Sequence, residues 1–387
     1  MKDFRYLQQK YLVGTYPNRD LVFTSGQGQF LINQSGQKYL DMMGNYGVNL
    51  FGYNHPLIQA SLTCQLKKLT TLHCSFTNDV RAQASQNLVQ ACGGHLSQVY
   101  FSNSGAEAIE AALKFAVLAT GKKQFIACRH AYHGKTLGAL SATDGQKYKA
   151  PFFPLIWDFN HINFNDTSAL KSAIGSDTAA FIIEPVQGEG GVILPDPNYL
   201  KKISQICRQA KILLIIDEIQ TGTGRTGHFL ASHSDPIEYD IVCLGKGLAG
   251  GIPVGATLVN QKISQKIPKL IHSSTFGGNP LACAGILAVL KLLDPKTLKH
   301  IRQTGDYLIS QLKLIKSDQI KQVRGSGLMI GIDVNGDRNQ ILKLLQSHKI
   351  LAIPAGDSVI RLLPSLVITK KDIDYFVKIF KKCVVSS

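Results

Sequence analysis

The sequence predicts an α/β protein: a mainly parallel central sheet with helices on both faces, joined to a smaller α+β domain. Three observations carry that expectation. Two apolar runs of strand length, 212–216 and 241–244, stop at polar residues and read as strands buried on both faces. Strand-like, loop-like and helix-like stretches alternate from 99 to 247, the order in which parallel sheets are wound. The composition is that of a globular protein, 44% hydrophobic and 18% charged, and 387 residues are enough for a large core.

Taken in order, the stretch LVFTSGQGQFLINQSGQKYLDM breaks at Gly26, Gly28 and the Ser35-Gly36 turn into short alternating pieces, a small antiparallel arrangement. Residues 44–56 read as a loop rich in glycine, asparagine and aromatics, with a helix starting near Pro56. A strand at 99–101 then meets SNSG, and a helix follows with Ile109, Ala112, Leu113, Ala116 and Val117 on one face. Ser104 is placed to cap it. The free N–H groups of Gly105 and Ala106, with the helix dipole behind them, suit an anion, although the same pattern also serves an ordinary Ser-capped helix. Glu110 and Lys114 stand at the i, i+4 spacing of an ion pair.

The strand-like piece 125–129 leads into HAYHGKT, where Tyr132 could stack on a flat ring and Lys135 could meet a carboxylate. His133 reads as a hydrogen-bonded loop histidine. The segment 179–192 repeats the theme: a buried strand, Glu184-Pro185, then a glycine-rich loop with Glu189. TGTGRTG at 221–227 matches a dinucleotide pattern by spacing only, since no amphipathic helix begins there. Paired glycines precede an apolar helix within 272–293, and strand-like pieces lie in 323–334 and 358–368. Arg361 interrupts the second of these, and a buried arginine demands an anionic partner.

The centre of the pattern is 211–247. One apolar run ends in Asp217 and the other in Gly245-Lys246-Gly247, and ligands of open α/β sheets collect at such C-terminal strand ends. If the two strands are neighbours, a planar cationic heterocycle could lie between them, its ring nitrogen at Asp217 and its aldehyde condensed with Lys246. Pyridoxal phosphate needs that pairing. The plainer alternative is a turn carboxylate and a solvated loop lysine.

Composition excludes other classes. The net charge of +16 is spread over dispersed lysine pairs with no nucleic-acid-binding motif, so it reads as a basic surface that weakly favours anionic substrates. No apolar run reaches the ~20 residues of a membrane span. Eight scattered cysteines without CxxC spacing give no metal site and fit a reduced, cytoplasmic protein.

SNSGAEAIEAALKFA, AYHGKT, IIEPVQGEGGV, LIIDEIQTGTGRTG, LGKGLAGGIPVGA, STFGGNPLA and VIRLLPSLVI stand in the order found in class III, ω-amino-group aminotransferases. The chain resembles that family over nearly its whole length, and within it the N-acetylornithine aminotransferases most. The resemblance implies fold type I, with 49–285 as the large pyridoxal-phosphate-binding domain and 1–48 joining 286–387 in the small one. It implies a homodimer, Lys246 as the Schiff-base lysine and proton carrier, and Asp217 at the pyridine nitrogen. Gln220 would bond the phenolic oxygen, Tyr132 and Ile219 would sandwich the ring, and Ser104, Gly105 and Ala106 would hold the phosphate with Thr275 of the second subunit. Arg361 would take the α-carboxylate of 2-oxoglutarate or glutamate, and Glu189 would pair with Arg361 when an ω-amine donor is bound. The implied reaction moves the terminal amino group of N-acetylornithine to 2-oxoglutarate, a step of arginine biosynthesis. The alternative is ornithine, lysine or 4-aminobutyrate as donor. Two departures bear on that choice: Lys135 stands where the family usually has the arginine that clamps the donor carboxylate, and Tyr46 falls where ornithine δ-aminotransferases carry a tyrosine.

Overall fold

A computed structural model describes residues 4–385 apart from 94 and 236. After a helix at Phe4–Tyr11, strands β1 (Phe23–Gln27), β2 (Phe30–Asn33) and β3 (Lys38–Asp41) form the antiparallel meander expected from the glycine breaks. The stretch read as a loop from 44 instead opens with a helical turn, Gly44–Gly47. Asn45 and Tyr46 lie in the left-handed region there, at φ 49° and 57°, which local sequence pattern does not reveal.

The central sheet comprises β4 (Leu96–Ser102), β5 (Gln124–Cys128), β6 (Asp158–Ile162), β7 (Thr178–Ile183), β8 (Leu213–Asp217), β9 (Ile241–Leu244) and β10 (Gly255–Asn260). Its order is β4-β10-β9-β8-β7-β5-β6, and β10 alone runs against the rest. The apolar runs are indeed two-sided. Ile182, Ile215 and Ile241 point into the core on one face with Ile109, Ala112 and Leu113 of the helix Gly105–Thr120. Ile183, Leu214, Ile216 and Val242 join the opposite core with Leu200 and Ile203 of the helix Tyr199–Ala210. Period-2 alternation across a sheet covered on both sides produces this division.

The C-terminal part adds β11 (Ile320–Ser326), β12 (Met329–Val334), β13 (Ile350–Leu351), β14 (Ile353–Ala355) and β15 (Val359–Leu362). Four of them form a sheet in the order β11-β12-β15-β14, while β13 pairs in parallel with β3, Ile350 opposite Leu40. The expected Glu110–Lys114 pair is not formed. Glu110 accepts the N–H groups of Gly138 and Ala139 at 2.8 and 3.1 Å, and Lys114 Nζ lies 2.9 Å from His272 Nδ1. Tertiary partners outcompete an i, i+4 contact that contributes only tenths of a kcal/mol. Among the described residues no helix is long and apolar enough to cross a membrane, and no group of histidine, cysteine and acidic side chains could hold a metal.

Ile182 is fully buried near the C-terminal end of β7. Replacing it by alanine should lower unfolding free energy by about 2–4 kcal/mol, read from urea denaturation, whereas a loss under about 1 kcal/mol would show that this core relaxes around the gap.

Candidate active site

Pairing of β8 with β9 meets the condition on which the sequence reading rested: the strands are neighbours, in register with Asp217 opposite Cys243. Asp217 is the last residue of β8 and 4% exposed. Lys246 follows β9 by two positions and begins a 3₁₀ turn, Lys246–Ala249, with φ at 48°. A left-handed lysine costs strain of order 1–3 kcal/mol, which persists where surrounding packing dictates it.

Both side chains line one cavity of about 480 Å³, together with Gly105, Ala106, Tyr132, Lys135, Glu189, Ile219 and Gln220. The helix Gly105–Thr120 supplies its positive end. Ser104 caps that helix as expected, its hydroxyl accepting the Glu107 N–H at 3.2 Å, which leaves the N–H groups of Gly105 and Ala106 toward the cavity. Gly105 is required there, since a Cβ would come within 2.8 Å of Ile219 Cγ2. Of the remaining residues singled out in the sequence, Arg361 reaches the cavity through its partners. Thr275 is exposed and does not line it. Tyr46, 47% exposed, does not line it either, although a Cβ on its neighbour Gly47 would lie 4.0 Å from Gln220 Cγ.

Arg361 has the anionic partner its burial demands. With no exposed surface, it donates from NH2 to Glu189 Oε1 at 2.6 Å and from NH1 to Gln220 Oε1 at 3.0 Å. That bond fixes the Gln220 amide with its nitrogen free to donate. A Cβ at Gly188 would displace Gln220 Oε1 and so disturb its bond to Arg361.

Burial draws the Lys246 ammonium down from the ordinary lysine range, and Arg361 adds to the effect while Glu189, Asp217 and Glu184 oppose it. Burial likewise pushes the Tyr132 phenol up to about 12, reinforced by Glu189, Tyr148 and Tyr16. Glu184 is raised to about 7, chiefly by desolvation. His133 pulls it back and Asp217 adds to the rise, while the N–H groups of Gly188 and Tyr132, each 3.0 Å from its oxygens, lower it.

Three residues gain a place that sequence reasoning did not give them. His133 is the hydrogen-bonded histidine expected, but its partner is Asp217: Nδ1 lies 2.7 Å from Oδ2, while the Ile219 N–H donates to Oδ1 at 3.0 Å. The other ring nitrogen, the buried Nε2, has no hydrogen-bond partner among the described residues. Glu184 binds the 132 and 188 loops together, and Tyr16 from the N-terminal segment approaches Tyr132. The glutamate-proline step could have marked Glu184. Nothing local marks the other two.

An amine with a depressed pKa, a fixed carboxylate and unengaged helix N–H groups around one cavity match the aldehyde, ring nitrogen and phosphate of pyridoxal phosphate, so the residues present fit that cofactor.

A family model for class-III aminotransferases matches residues 14–384. An acetylornithine aminotransferase of Methanosarcina mazei is 38% identical over 375 residues, covering 96% of this chain and 94% of that protein. One of Bacillus cereus is 39% identical over 377 residues, covering 97% of each. A Pyrococcus furiosus protein named for LysW-aminoadipate semialdehyde/glutamate semialdehyde transamination is 41% identical over 354 residues, 92% of this chain and 93% of its own. Among solved structures, the ornithine aminotransferase from Toxoplasma gondii superimposes with a TM-score of 0.95 at 33% identity, covering 99% of this chain and 94% of that one. The acetylornithine aminotransferase from Elizabethkingia anophelis gives 0.87 at 33% identity, covering 99% and 98%. A second Toxoplasma structure is described with pyridoxal phosphate at partial occupancy in its active site. The chain belongs to the class-III aminotransferases, fold type I enzymes that use pyridoxal phosphate to exchange amino groups between amino and keto acids.

Proposed function

We propose that this enzyme transfers the terminal amino group of N-acetylornithine to 2-oxoglutarate, and that ornithine, lysine or 4-aminobutyrate is the alternative donor. The observation that carries the chemistry is the shared cavity of Lys246 and Asp217 at adjacent strand ends. The donor choice is supported by the acetylornithine aminotransferases among the relatives.

Pyridoxal phosphate, when bound, supplies the electron sink for the carbon that loses its proton. The protein's residues do the rest. Lys246 is the residue that would hold the aldehyde end of the cofactor, and its neutral amine would take the proton from the donor's amine-bearing carbon, a task suited to an amine whose pKa is already depressed. Asp217, held by His133 and the Ile219 N–H, keeps a proton on the ring nitrogen. The Gly105 and Ala106 N–H groups and Ser104 would hold the phosphate, joined by Thr275 of a second subunit in a homodimer. Tyr132 and Ile219 confine the ring, and Gln220 donates to its phenolic oxygen.

Selection between two unlike substrates falls to Arg361. Paired with Glu189, it is neutralised and leaves room for a donor whose far end carries no carboxylate at that point; when 2-oxoglutarate or glutamate enters, Glu189 yields and the guanidinium takes the α-carboxylate through two N–H groups. Lys135 and Tyr46 would meet the donor's own carboxylate. We further propose a large unit at 49–285 and a small one built from 1–48 and 286–387, supported by the β3–β13 pairing and by Leu363 N–H donating to Met42 O at 2.7 Å. Eight free thiols support residence in the cytoplasm.

Lys246→Ala should abolish the visible absorbance of the bound cofactor and reduce turnover by at least about 10³-fold; retention of both removes Lys246 from the chemistry. Asp217→Ala should still take up cofactor, measured by fluorescence titration, but lose about 10²-fold or more in kcat, and near-normal turnover would count against its hold on the ring nitrogen. Single-turnover spectra with acetylornithine, ornithine and 4-aminobutyrate should show acetylornithine reacting with the highest second-order constant. A tenfold preference for either of the others would reassign the donor.

A further inference from the structure

Lys135 is paired with Tyr148, a residue to which the reaction just described gives no role. Lys135 is exposed at the cavity and enters no salt bridge or hydrogen bond among the described residues. Its ammonium has the face of Tyr148 instead, with Nζ 5.4 Å from the ring centroid, inside the ~6 Å reach of a cation–π contact. Lys147 Nζ stands over the same ring at 4.9 Å. Tyr148 in turn meets Tyr132 edge to face, the centroids 6.2 Å apart and the planes at 76°. It lines a second cavity of about 490 Å³ that shares Tyr132 and Glu189 with the first.

These contacts bear on the departure at position 135. An arginine fork is preorganised for a carboxylate, whereas a lysine offers a point charge on a flexible four-carbon stem that loses more rotamer freedom for each hydrogen bond it forms. An aromatic face at the end of that stem narrows where the ammonium rests and lowers the part of this entropy lost on binding. The ring leaves the ammonium hydrogens free, because it attracts the charge through its quadrupole and accepts no directed bond of carboxylate strength.

We propose that Tyr148 is a specificity-determining positioning residue: it holds the Lys135 ammonium at the cavity mouth, so that donors carrying a carboxylate remote from the reacting amine are preferred over plain alkyl amines. The proposal rests on the reading of Lys135 as the contact for that carboxylate. Tyr148 acts through Lys135 and touches no reacting atom. Lys147 on the same ring adds a second positive charge at the mouth and strengthens the discrimination.

Steady-state kinetics of the holoenzyme at saturating 2-oxoglutarate test it, with N-acetylornithine and N-acetylputrescine, the same chain without the carboxylate, as donors. Tyr148→Leu should raise KM for N-acetylornithine roughly threefold to tenfold with kcat within about twofold, and leave KM for N-acetylputrescine unchanged. Tyr148→Phe, which keeps the ring, should restore the wild-type KM. In a Lys135→Ala background, Tyr148→Leu should add nothing. Equal effects on both donors, or additive effects in the double variant, would overturn the proposal. A Lys135→Ala variant with unchanged donor KM would overturn the reading of Lys135 itself; an effect of Lys135→Ala without one of Tyr148→Leu would remove Tyr148 alone.

Discussion

The parallel pairing of β8 with β9 is the constraint on which the rest of this structure depends. Side chains at the ends of adjacent parallel strands are held about 4.8 Å apart in the hydrogen-bonding direction, and both strands are locked by apolar cores on two faces. A shift of one residue in register would turn every isoleucine of β8 to the opposite core and carry Asp217 away from the cavity. The geometry of the acid and the amine is therefore as stable as the sheet itself. Because both belong to one sheet, their separation does not depend on how the C-terminal strands sit.

Around that pair, the polar groups of the cavity are arranged so that hardly any buried charge stands alone. Asp217 has His133 and a backbone N–H, Arg361 has Glu189 and Gln220, and Glu184 has two backbone N–H groups. Removing one member of such a set leaves another charge uncompensated, which costs more than the contact itself contributes. Lys246 is the exception. Among the described residues no salt bridge or hydrogen bond fixes its amine, and burial, outweighing the attraction of Glu189, Asp217 and Glu184, favours the neutral form that the chemistry requires. The left-handed backbone at Lys246 places a second local cost at the same residue.

Much of this was legible in the sequence because it is written locally. The runs ending at Asp217 and at Leu244 report their own burial, and Ser104 reports the start of its helix. Arg361 announced an anion without saying which, and the answer, Glu189, lies 172 residues away. The same distance in sequence explains what was missed. His133 and Asp217 are 84 residues apart, Tyr132 and Glu184 52, and no periodicity encodes such meetings. The reversed direction of β10 and the joining of β13 to β3 are equally non-local. Glu110 shows the opposite failure, a local rule overruled when the chain folded Gly138 and Ala139 against it.

The central claim is that the carboxylate at 217 and the amine at 246 reach opposite ends of a single pyridoxal ring. A crystal structure of the protein with pyridoxal phosphate measures this directly. The account predicts continuous density from Lys246 Nζ to the aldehyde carbon, and an Asp217 carboxylate oxygen about 2.7–3.0 Å from the ring nitrogen. A bound cofactor with its ring nitrogen more than about 4 Å from Asp217, or its aldehyde turned away from Lys246, would contradict it.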